Sequence, residues 1–448
     1  MADRAVIREI ITDFHQRELP AFNPRVVDLS CPENKIRCLT GIRRAGKTFA
    51  FYQLIDALLR QGLAKQRILY INFEDERLLP LSPSDVSAML NTYYEMFPAH
   101  KGKKVHLFFD EVQNVPHWEK FIRRLQDTEN VHINLTGSSS QFLSSEIATA
   151  LRGRTLSYEI FPFSFLEFLR SRNIPGDDYS SKGRALIANA FETYLHTGGF
   201  PEIAACDEGF RLKILQEYFN LILYKDLIER YDIRNHSLIK YLLKFLLANN
   251  ANLFTVHKFY GDAKSQGYKC SKDALHNYLS YLEDAYCFSQ VPIFSESLRT
   301  RQVNNRKIYA IDHGLVTAMT GSRSYNSGRL LETMVYNQLR QHYGRDQIFY
   351  YKTSTGHEID CLALRHSQVV ELIQVCEQLS DPVTKERETR AISSAMQELN
   401  LSHATIITRD ETDTPLPAKR SIRLIPFYRW AVEQAERIIH YRLSMDNG

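Results

Sequence analysis

The 448-residue sequence lacks the features that would place it in a membrane, secreted or zinc-stabilised class of protein. No stretch approaches the roughly 18 uninterrupted apolar residues of a transmembrane helix. The opening residues, MADRAVIREIITDFHQRELP, carry acids and no apolar core, so we expect no signal peptide. The seven cysteines are an odd number and form no CxxC pair. We therefore expect reduced thiols, no zinc framework, no membrane contact and a cytoplasmic location.

An excess of charge of one sign is also missing. Lysine and arginine number 56 against 52 aspartates and glutamates, which gives a formal net charge of +4. Such a balance permits a nucleic-acid partner without requiring one, so a prediction of DNA binding must depend on local patches. The hydrophobic and charged fractions, 44% and 24%, are those of globular domains, and the length allows two to four of them.

Short apolar segments alternate with helical ones from Lys35 to about Phe163, which is typical of a parallel α/β sheet. An amphipathic helix with Ile7, Ile10 and Ile11 on one side precedes them. The expected strands cover residues 36–40, 68–73, 105–109, 131–135 and 155–160. We expect the whole chain to divide into this α/β core with its N-terminal helix at 1–165, a helical lid or connector at 166–235, a segment of helices and a hairpin at 236–325 and a small α/β domain at 326–448.

The strongest motif is GIRRAGKT at residues 41–48, which matches the phosphate-binding loop GxxxxGK[ST] without a mismatch. Its glycines let backbone N–H groups converge on phosphate, Lys47 reaches the β- and γ-phosphates, and Thr48 is placed to bind Mg²⁺. A plain turn between strand and helix is the weaker alternative. The predicted nucleotide-binding residues are Gly41, Ile42, Arg43, Arg44, Ala45, Gly46, Lys47, Thr48 and Phe49.

The strand in VHLFFDEVQNV ends in two acids, Asp110 and Glu111. Following a phosphate loop, Asp110 is expected to hold Mg²⁺ and Glu111 to polarise the attacking water. A later strand in VHINLTGSSSQFL ends in Thr136 and Ser138, which either contact the γ-phosphate or its water or simply belong to a turn that caps a helix.

Two arginines flank a glycine in LRGR, Arg152 and Arg154. One of them is expected to act as a sensor or as a finger onto a neighbouring subunit's nucleotide. The sequence leaves open which arginine acts, and whether it acts in cis or in trans.

Residues 253–312 predict a helix, a turn through Gly267, a second helix after Ser271 and a hairpin with a basic tip. The second helix leaves Lys272 and His276 outward, as a recognition helix would. The candidate DNA-binding residues are Lys272, His276, Arg299, Arg301, Arg306 and Lys307. They would contact phosphates without reading base sequence. A protein-docking unit with solvated basic edges is the alternative.

The last segment predicts a helix carrying Glu332, a hairpin carrying Asp360 and a strand with Gln374 and Cys376. A restriction-type nuclease would place two metal-binding acids and a Glu-x-Lys pair at such positions. Here Gln374 and Cys376 stand where the glutamate and lysine would be. Lys352 on the neighbouring strand is either a migrated lysine or an exposed strand residue.

Together these motifs, with GGFPE, YLEDAY and KIYAIDHGL between them, resemble the prokaryotic AAA+ class ATPases whose C-terminal domain of unknown function is related to PD-(D/E)XK nucleases. The resemblance covers roughly residues 20–430. It implies an ATPase core, a winged helix and a nuclease-like end domain. It carries a nucleotide or metal role onto Lys47, Thr48, Asp110 and Glu111, and onto either Arg152 or Arg154.

The sequence therefore predicts a Mg²⁺-dependent ATPase that moves or remodels DNA as a homo-oligomer, with ATP and Mg²⁺ as cofactors. The DNA would be recognised by structure more than by sequence. Two alternatives are a nucleotide-dependent switch that scaffolds a protein partner and a metal-dependent nuclease. The second is disfavoured by the degenerate site at Glu332, Asp360, Gln374 and Cys376.

Overall fold

Two units make up the chain, Met1–Phe161 and Pro162–Gly448. The structure is a computed structural model that describes residues 3–138, 151, 153–176, 180–321, 327–411 and 421–446, with side chains except those of residues 83, 84 and 438–446. None of the helices in these ranges combines the length and apolar character that crossing a bilayer requires.

The first unit alternates helices and strands. In chain order its elements are α1 (Arg4–Gln16), β1 (Ile36–Thr40), α2 (Lys47–Arg60), β2 (Ile68–Asn72), α3 (Pro83–Met96), β3 (Val105–Asp110), α4 (Trp118–Thr128), β4 (Val131–Thr136) and β5 (Thr155–Glu159). The strands match the expected segments to within one residue at each end. Because apolar residues fill β1 to β4, those strands are buried on both faces, as in parallel sheets covered by helices.

All strands of this sheet run parallel in the order β2-β3-β4-β1-β5, which confirms the predicted α/β class. The carboxyl ends of parallel strands meet at one edge of a sheet, and ligands of such folds bind there. This edge carries Asp110 at the end of β3, Thr136 at the end of β4 and the phosphate loop after β1. Helix α1 covers part of the core with Ile7, Ile10 and Ile11, as its periodicity predicts.

The second unit starts with helices and continues into two further sheets. Its elements are α5 (Phe165–Ser171), α6 (Ser181–Thr197), α7 (Pro201–Ala205), α8 (Glu208–Leu221), a π-helical turn (Ile222–Glu229), α9 (His236–Ala248), β6 (Asn252–Phe254), α10 (Val256–Ser265), α11 (Lys272–Asp284), β7 (Phe288–Val291), α12 (Leu298–Val303), β8 (Arg306–Ala310), α13 (His313–Thr320), α14 (Ser327–Tyr343), β9 (Ile348–Lys352), β10 (Glu358–Arg365), β11 (Gln368–Val375), α15 (Pro382–Glu398), β12 (His403–Thr408), β13 (Ser421–Pro426) and α16 (Phe427–Asp446).

A small antiparallel sheet of order β6-β8-β7 packs with α9, α10 and α11. The order along the chain is helix, strand, helix, helix, strand, strand. The connection from β7 to β8 holds the short helix α12, and Ile293 bridges to Tyr350 of β9. This connection therefore differs from the plain basic hairpin tip that the sequence predicts.

The end of the chain forms a mixed sheet of order β13-β12-β11-β10-β9. Strands β9, β10 and β11 pair antiparallel, whereas β11, β12 and β13 pair parallel. Helices α14 and α15 contact β10 and β11. The interior of this part contains Leu362, Ile392 and Ile406, all fully buried.

The glycine pair of the GGFPE motif is tied to the aspartate of KIYAIDHGL. Gly199 N donates to Asp312 Oδ2 at 2.7 Å, and Gly314 N donates to Asp312 Oδ1 at 2.8 Å. A Cβ at Gly198 would lie 2.0 Å from Asp312 Oδ1, and its φ of +75° also favours glycine. Burial raises the pKa of Asp312. Both motifs thus have a structural role within the second unit.

Candidate functional site

The loop 41–48 connects β1 to the first turn of α2 at the carboxyl edge of the parallel sheet. Gly41, Arg44 and Gly46 have φ values of +132°, +68° and +96°. At Gly41 a Cβ would lie 2.2 Å from the Ile160 carbonyl oxygen, so the close approach of two backbones there requires glycine. Ala45 N donates to Ile42 O at 3.3 Å, which closes the turn.

A buried arginine that the sequence analysis did not single out braces this loop. Arg25 Nη1 donates to the Ala45 carbonyl at 2.8 Å, and Nη2 donates to the Phe161 carbonyl at 2.6 Å. Arg25 is only 7% exposed. Because guanidinium groups present several donors in a fixed plane, Arg25 fixes the loop relative to the chain after β5.

The Lys47 ammonium points back along the loop. Its Nζ lies 3.2 Å from Gly41 O and 3.3 Å from Ile42 O, and 3.7 Å from Glu111 Oε1. Lys47 is 4% exposed. An ammonium so placed is available to phosphate oxygens that lie over the loop, since its partners are carbonyls and one acid beyond hydrogen-bond distance.

Asp110 is the centre of the polar cluster at the end of β3. Thr48 Oγ1 donates to Asp110 Oδ2 at 2.7 Å and Tyr70 OH donates to the same oxygen at 3.0 Å, while Thr136 Oγ1 donates to Oδ1. Burial, and then the charge of Glu111, raises the pKa of Asp110. Thr48 and Asp110 supply a hydroxyl and a carboxylate side by side, which are oxygen ligands suited to Mg²⁺.

Glu111 follows in a left-handed conformation, with φ of +52°, which turns it from the strand toward Lys47. Its backbone N–H donates to Thr136 Oγ1 at 2.8 Å, and Gln113 Nε2 donates to its carboxylate. Thr136 thus positions both acids. Tyr70 and Gln113 belong to the same network and were not singled out from the sequence.

The remaining predicted nucleotide residues differ in exposure. Ile42 and Ala45 are buried, Arg43 pairs with Glu74 at 3.0 Å, and Phe49 is 45% exposed on α2. Ser138 is buried beyond β4.

Of the two arginines of LRGR, the structure describes the position of Arg154 only. Arg152 lies outside the described residues. Arg154 precedes β5, whose register pairs Ile36 with Thr155 and Thr40 with Glu159. Arg154 is therefore at the amino edge of the sheet, opposite the phosphate loop, where it pairs with Asp127. A contact with the nucleotide of its own subunit does not fit this placement, and only the role in trans stays open.

Three of the six predicted DNA-binding residues line one cleft of about 560 Å³ in the second unit. They are Lys272 and His276 on α11 and Arg306 at the start of β8. Lys272 and His276 are exposed, and so is Arg299 on α12. The Arg301 guanidinium lies 5.1 Å from the centroid of the Phe349 ring and donates to Ser295 O, so part of its bonding capacity is used internally.

The placement of Lys307 contradicts its prediction as a DNA-binding residue. It is 2% exposed, and its Nζ lies 2.9 Å from a carboxylate oxygen of each of Glu332, Glu358 and Asp360. The error has a simple cause: alternation along β8 sends Arg306 and Lys307 to opposite faces of the strand. The acids that surround Lys307 come from α14 and β10.

The four residues of the predicted degenerate nuclease site meet only in part. Glu332 and Asp360 share Lys307. Gln374 Oε1 accepts from Asp360 N at 3.4 Å, while its amide donates to Glu388 at 2.8 Å. Cys376 lies past the end of β11 with Sγ 3.0 Å from Gln378 O, and burial raises its pKa to about 11. Lys352 is exposed at the end of β9, as a plain strand residue would be.

The first unit has the parallel sheet and phosphate-binding loop of an AAA domain, and the family comparisons agree. Residues 33–169 match the AAA domain family, residues 188–326 match a domain of unknown function (DUF8612), and residues 327–430 match another (DUF4143).

Among curated proteins, the chain is 36% identical over 417 residues to the uncharacterized protein MJ1544 of Methanocaldococcus jannaschii, covering 91% of this chain and 90% of that protein. It is 30% identical over 304 residues to an uncharacterized protein of Haemophilus influenzae, covering 68% and 74%. The chain belongs to the family of AAA-domain proteins that these relatives represent.

Two solved structures match the chain at low similarity. They are the Aeropyrum pernix ORC1 protein in complex with DNA, with a TM-score of 0.29, 13% identity and coverage of 71% of this chain and 91% of that one, and Cdc6p from Pyrobaculum aerophilum, with a TM-score of 0.25, 14% identity and coverage of 67% and 88%.

Proposed function

We propose that this protein is a Mg²⁺-dependent ATP hydrolase whose nucleotide cycle moves or remodels DNA. The observation that carries the proposal is the convergence of Lys47, Thr48, Asp110, Glu111 and Thr136 at one edge of the parallel sheet. They come from three separate segments of the chain, and each has the chemistry that phosphoryl transfer needs.

Each side chain has a distinct role in this proposal. The loop amides and Lys47 hold the phosphates, and Thr48 with Asp110 would hold Mg²⁺, which screens phosphate charge when bound. Glu111 orients the attacking water and accepts its proton. Thr136 and Tyr70 act as positioning residues because their hydroxyls hold Asp110. Gln113 limits the rotation of Glu111.

The experiment that tests the ATPase compares wild type with Glu111→Gln and with Lys101→Ala. We expect Glu111→Gln to bind ATP but to lose hydrolysis by at least about 100-fold, which is typical of removing a general base. Lys101 is exposed and outside the site, so its variant should keep the wild-type rate. Wild-type turnover in Glu111→Gln would refute the assignment of this residue.

The DNA part of the proposal is supported by the cleft that Lys272, His276 and Arg306 line. Helix α11 begins at Lys272, capped by the Ser271 side chain, which accepts from Ala274 N at 3.1 Å. Leu275, Leu279 and Leu282 of this helix are buried. Lys272 and His276 lie on its other side and line the cleft. Cations arranged in this way suit a phosphate backbone, and the helix order fits a winged helix.

Binding of fluorescent duplex and branched DNA by the Lys272→Ala/Arg306→Ala double variant tests this cleft. We expect wild-type affinity to fall steeply with salt, and the double variant to lower the slope of log K against log salt by about 2, since each removed cation leaves one phosphate without its partner. Lys182→Ala, an exposed lysine on α6, is the matched control. An unchanged slope, together with no stimulation of ATPase by any DNA, would favour the protein-scaffolding switch instead.

A homo-oligomer is the remaining part of the proposal. The placement of Arg154 at the sheet edge opposite the phosphate loop supports an action on a neighbouring subunit. Solution mass with and without ATP, measured for wild type, Arg152→Ala and Arg154→Ala, tests it. Loss of ATPase in one arginine variant at unchanged mass is the expected result, and full activity of both at a monomer mass would refute it.

A further inference from the structure

The carboxylates of the end domain surround an amino group of the chain itself. Lys307 Nζ lies at the same distance, 2.9 Å, from Glu332 Oε1, Glu358 Oε1 and Asp360 Oδ1. An ammonium has three N–H donors, and here each carboxylate can accept one of them. The donors of Lys307 are therefore all used by this cluster, which we name the Lys307 cluster: Lys307, Glu332, Glu358 and Asp360.

Two further donors reach the carboxylates of the Lys307 cluster. Tyr309 OH, which comes from the same face of β8, donates to Glu332 Oε1 at 2.6 Å. Val375 N donates to Asp360 Oδ2 at 3.0 Å. Lys307 and Tyr309 are 2% and 0% exposed, so water has little access to the centre of the cluster. A buried charge needs oppositely charged and hydrogen-bonded partners of this kind to be stable.

This geometry does not fit the divalent metal that a nuclease-like domain would hold. Mg²⁺ needs about six oxygens at about 2.0–2.1 Å, including water molecules. In the Lys307 cluster the three carboxylate oxygens lie 2.9 Å from a nitrogen, which fills the space between them. Among the described residues, no group of three or more histidine, cysteine, aspartate or glutamate side chains is arranged to hold a metal ion.

We propose that the Lys307 ammonium is the resident cation of this acidic cluster and stands where a nuclease-like site would hold its metal. The lysine is not a replacement for the one missing at Cys376, since a lysine that orients water must leave the carboxylates to the metal. Lys307 thereby links β8, the central strand of the three-stranded sheet, to α14 and β10 of the end domain. The acidic cluster of the end domain is thereby closed to metal.

The same four residues explain why Gln374 and Cys376 are tolerated. With the positive charge supplied from β8, a glutamate at Gln374 would add a further acid near Asp360. A lysine at position 376 would find the three carboxylates of the cluster already paired with Lys307. This inference does not depend on the ATPase or DNA assignments, because all its contacts lie in the second unit.

The test is Mn²⁺ binding followed by electron paramagnetic resonance, in four full-length proteins without nucleotide: wild type, Asp360→Asn, Lys307→Met and Lys307→Met/Asp360→Asn. Mn²⁺ sites elsewhere in the chain, including any at Asp110, are the same in all four proteins. Their contribution therefore cancels when two of the proteins are compared. We expect wild type and Asp360→Asn to bind alike. We expect Lys307→Met to gain one Mn²⁺ equivalent, with an affinity at least about tenfold above that of the double variant.

One additional Mn²⁺ equivalent in wild type relative to Asp360→Asn would overturn the proposal, and so would Mn²⁺-dependent DNA cleavage that Asp360→Asn removes. Either result would make Lys307 a migrated catalytic lysine. A folded Lys307→Met protein with no gained equivalent would also overturn it. If circular dichroism shows that Lys307→Met does not fold, the comparison of wild type with Asp360→Asn decides by itself.

Discussion

Lys47 in the first unit and Lys307 in the second are both almost fully buried beside carboxylates, yet they are held differently. Lys47 contacts two backbone carbonyls at 3.2 and 3.3 Å, and its nearest acid is 3.7 Å away. Lys307 touches three carboxylates at 2.9 Å. Three opposite charges at hydrogen-bond distance attract an ammonium more strongly than two neutral carbonyl oxygens do, so the two ammonium groups differ in how easily they can leave their partners.

The difference shows that burial of a lysine does not by itself indicate catalysis. At the phosphate loop Asp110 is held by the hydroxyl groups of Thr48, Tyr70 and Thr136 and the Glu111 carboxylate by the Gln113 amide, so the lysine is left for a ligand. In the Lys307 cluster the acids are held by the lysine itself. A site is open to a ligand when the protein satisfies its carboxylates with neutral donors, and closed when it satisfies them with its own charge.

The largest expected effect separates the two lysines. Lys47→Met should reduce ATP hydrolysis by at least about 100-fold, because it removes a charge that stabilises the transferring phosphate. Lys307→Met should keep the basal ATPase rate but destabilise the second unit by about 3–5 kcal/mol, since it leaves buried acids without their cation. Steady-state ATPase and thermal melting of both variants measure the two effects.

The distinction between the two lysines would be wrong if Lys47→Met and Lys307→Met had the same effects on ATPase rate and on melting temperature. A loss of ATPase in Lys307→Met at temperatures where it is folded would show that the second-unit lysine acts on the nucleotide site. An unchanged melting temperature in Lys307→Met would show that the ammonium is not needed by its three acids.

A smaller effect concerns pH. Burial, and then the charge of Asp360, raises the pKa of Glu332 to about 7 against the opposing charge of Lys307, with Tyr309 also bonded to it and Glu358 and Cys361 nearby. A pKa raised above the unfolded value means that the folded state binds the proton more tightly. The stability that Glu332 contributes is then fully present below about pH 4.5 and is lost as pH rises through about 7.

Urea unfolding of wild type and Glu332→Gln between pH 5 and pH 8 measures this effect. Glutamine keeps an acceptor oxygen for Lys307 and Tyr309 but does not titrate. We expect the unfolding free energy of wild type to fall relative to the variant by roughly 2–3 kcal/mol as pH rises across this range. Histidines elsewhere titrate in both proteins and cancel. A difference that stays constant with pH would contradict the assigned shift.

The nucleotide site could be predicted from sequence because its signals are local. The loop 41–48 is contiguous, and Asp110, Glu111 and Thr136 each end an apolar strand. Since the carboxyl ends of parallel strands share one edge, these residues are expected to lie close together whatever the order of the strands. The order β2-β3-β4-β1-β5 itself depends on packing between distant segments and was not predicted.

Lys307 could not be assigned in the same way. Its place follows from the packing of β8 against α14 and β10, which are separated from it by 25 and 53 residues at the contacts. A local sign was present, since Lys307 stands two residues before Tyr309 and alternation along the strand places both side chains on the same face. Arg25 gave no such sign, because its partners are backbone carbonyls rather than side chains.

The bond between Gly199 and Asp312 also has a consequence for how the protein is made. The two residues are 113 positions apart. At synthesis rates of about 5–20 residues per second, the turn at Gly199 waits on the order of ten seconds for its acceptor. During that interval the hydrophobic faces of α5 and α6 are exposed to the cell before their final packing. We therefore expect the packing of helices 165–221 to be completed only after Asp312 and the helix that follows it have been synthesised.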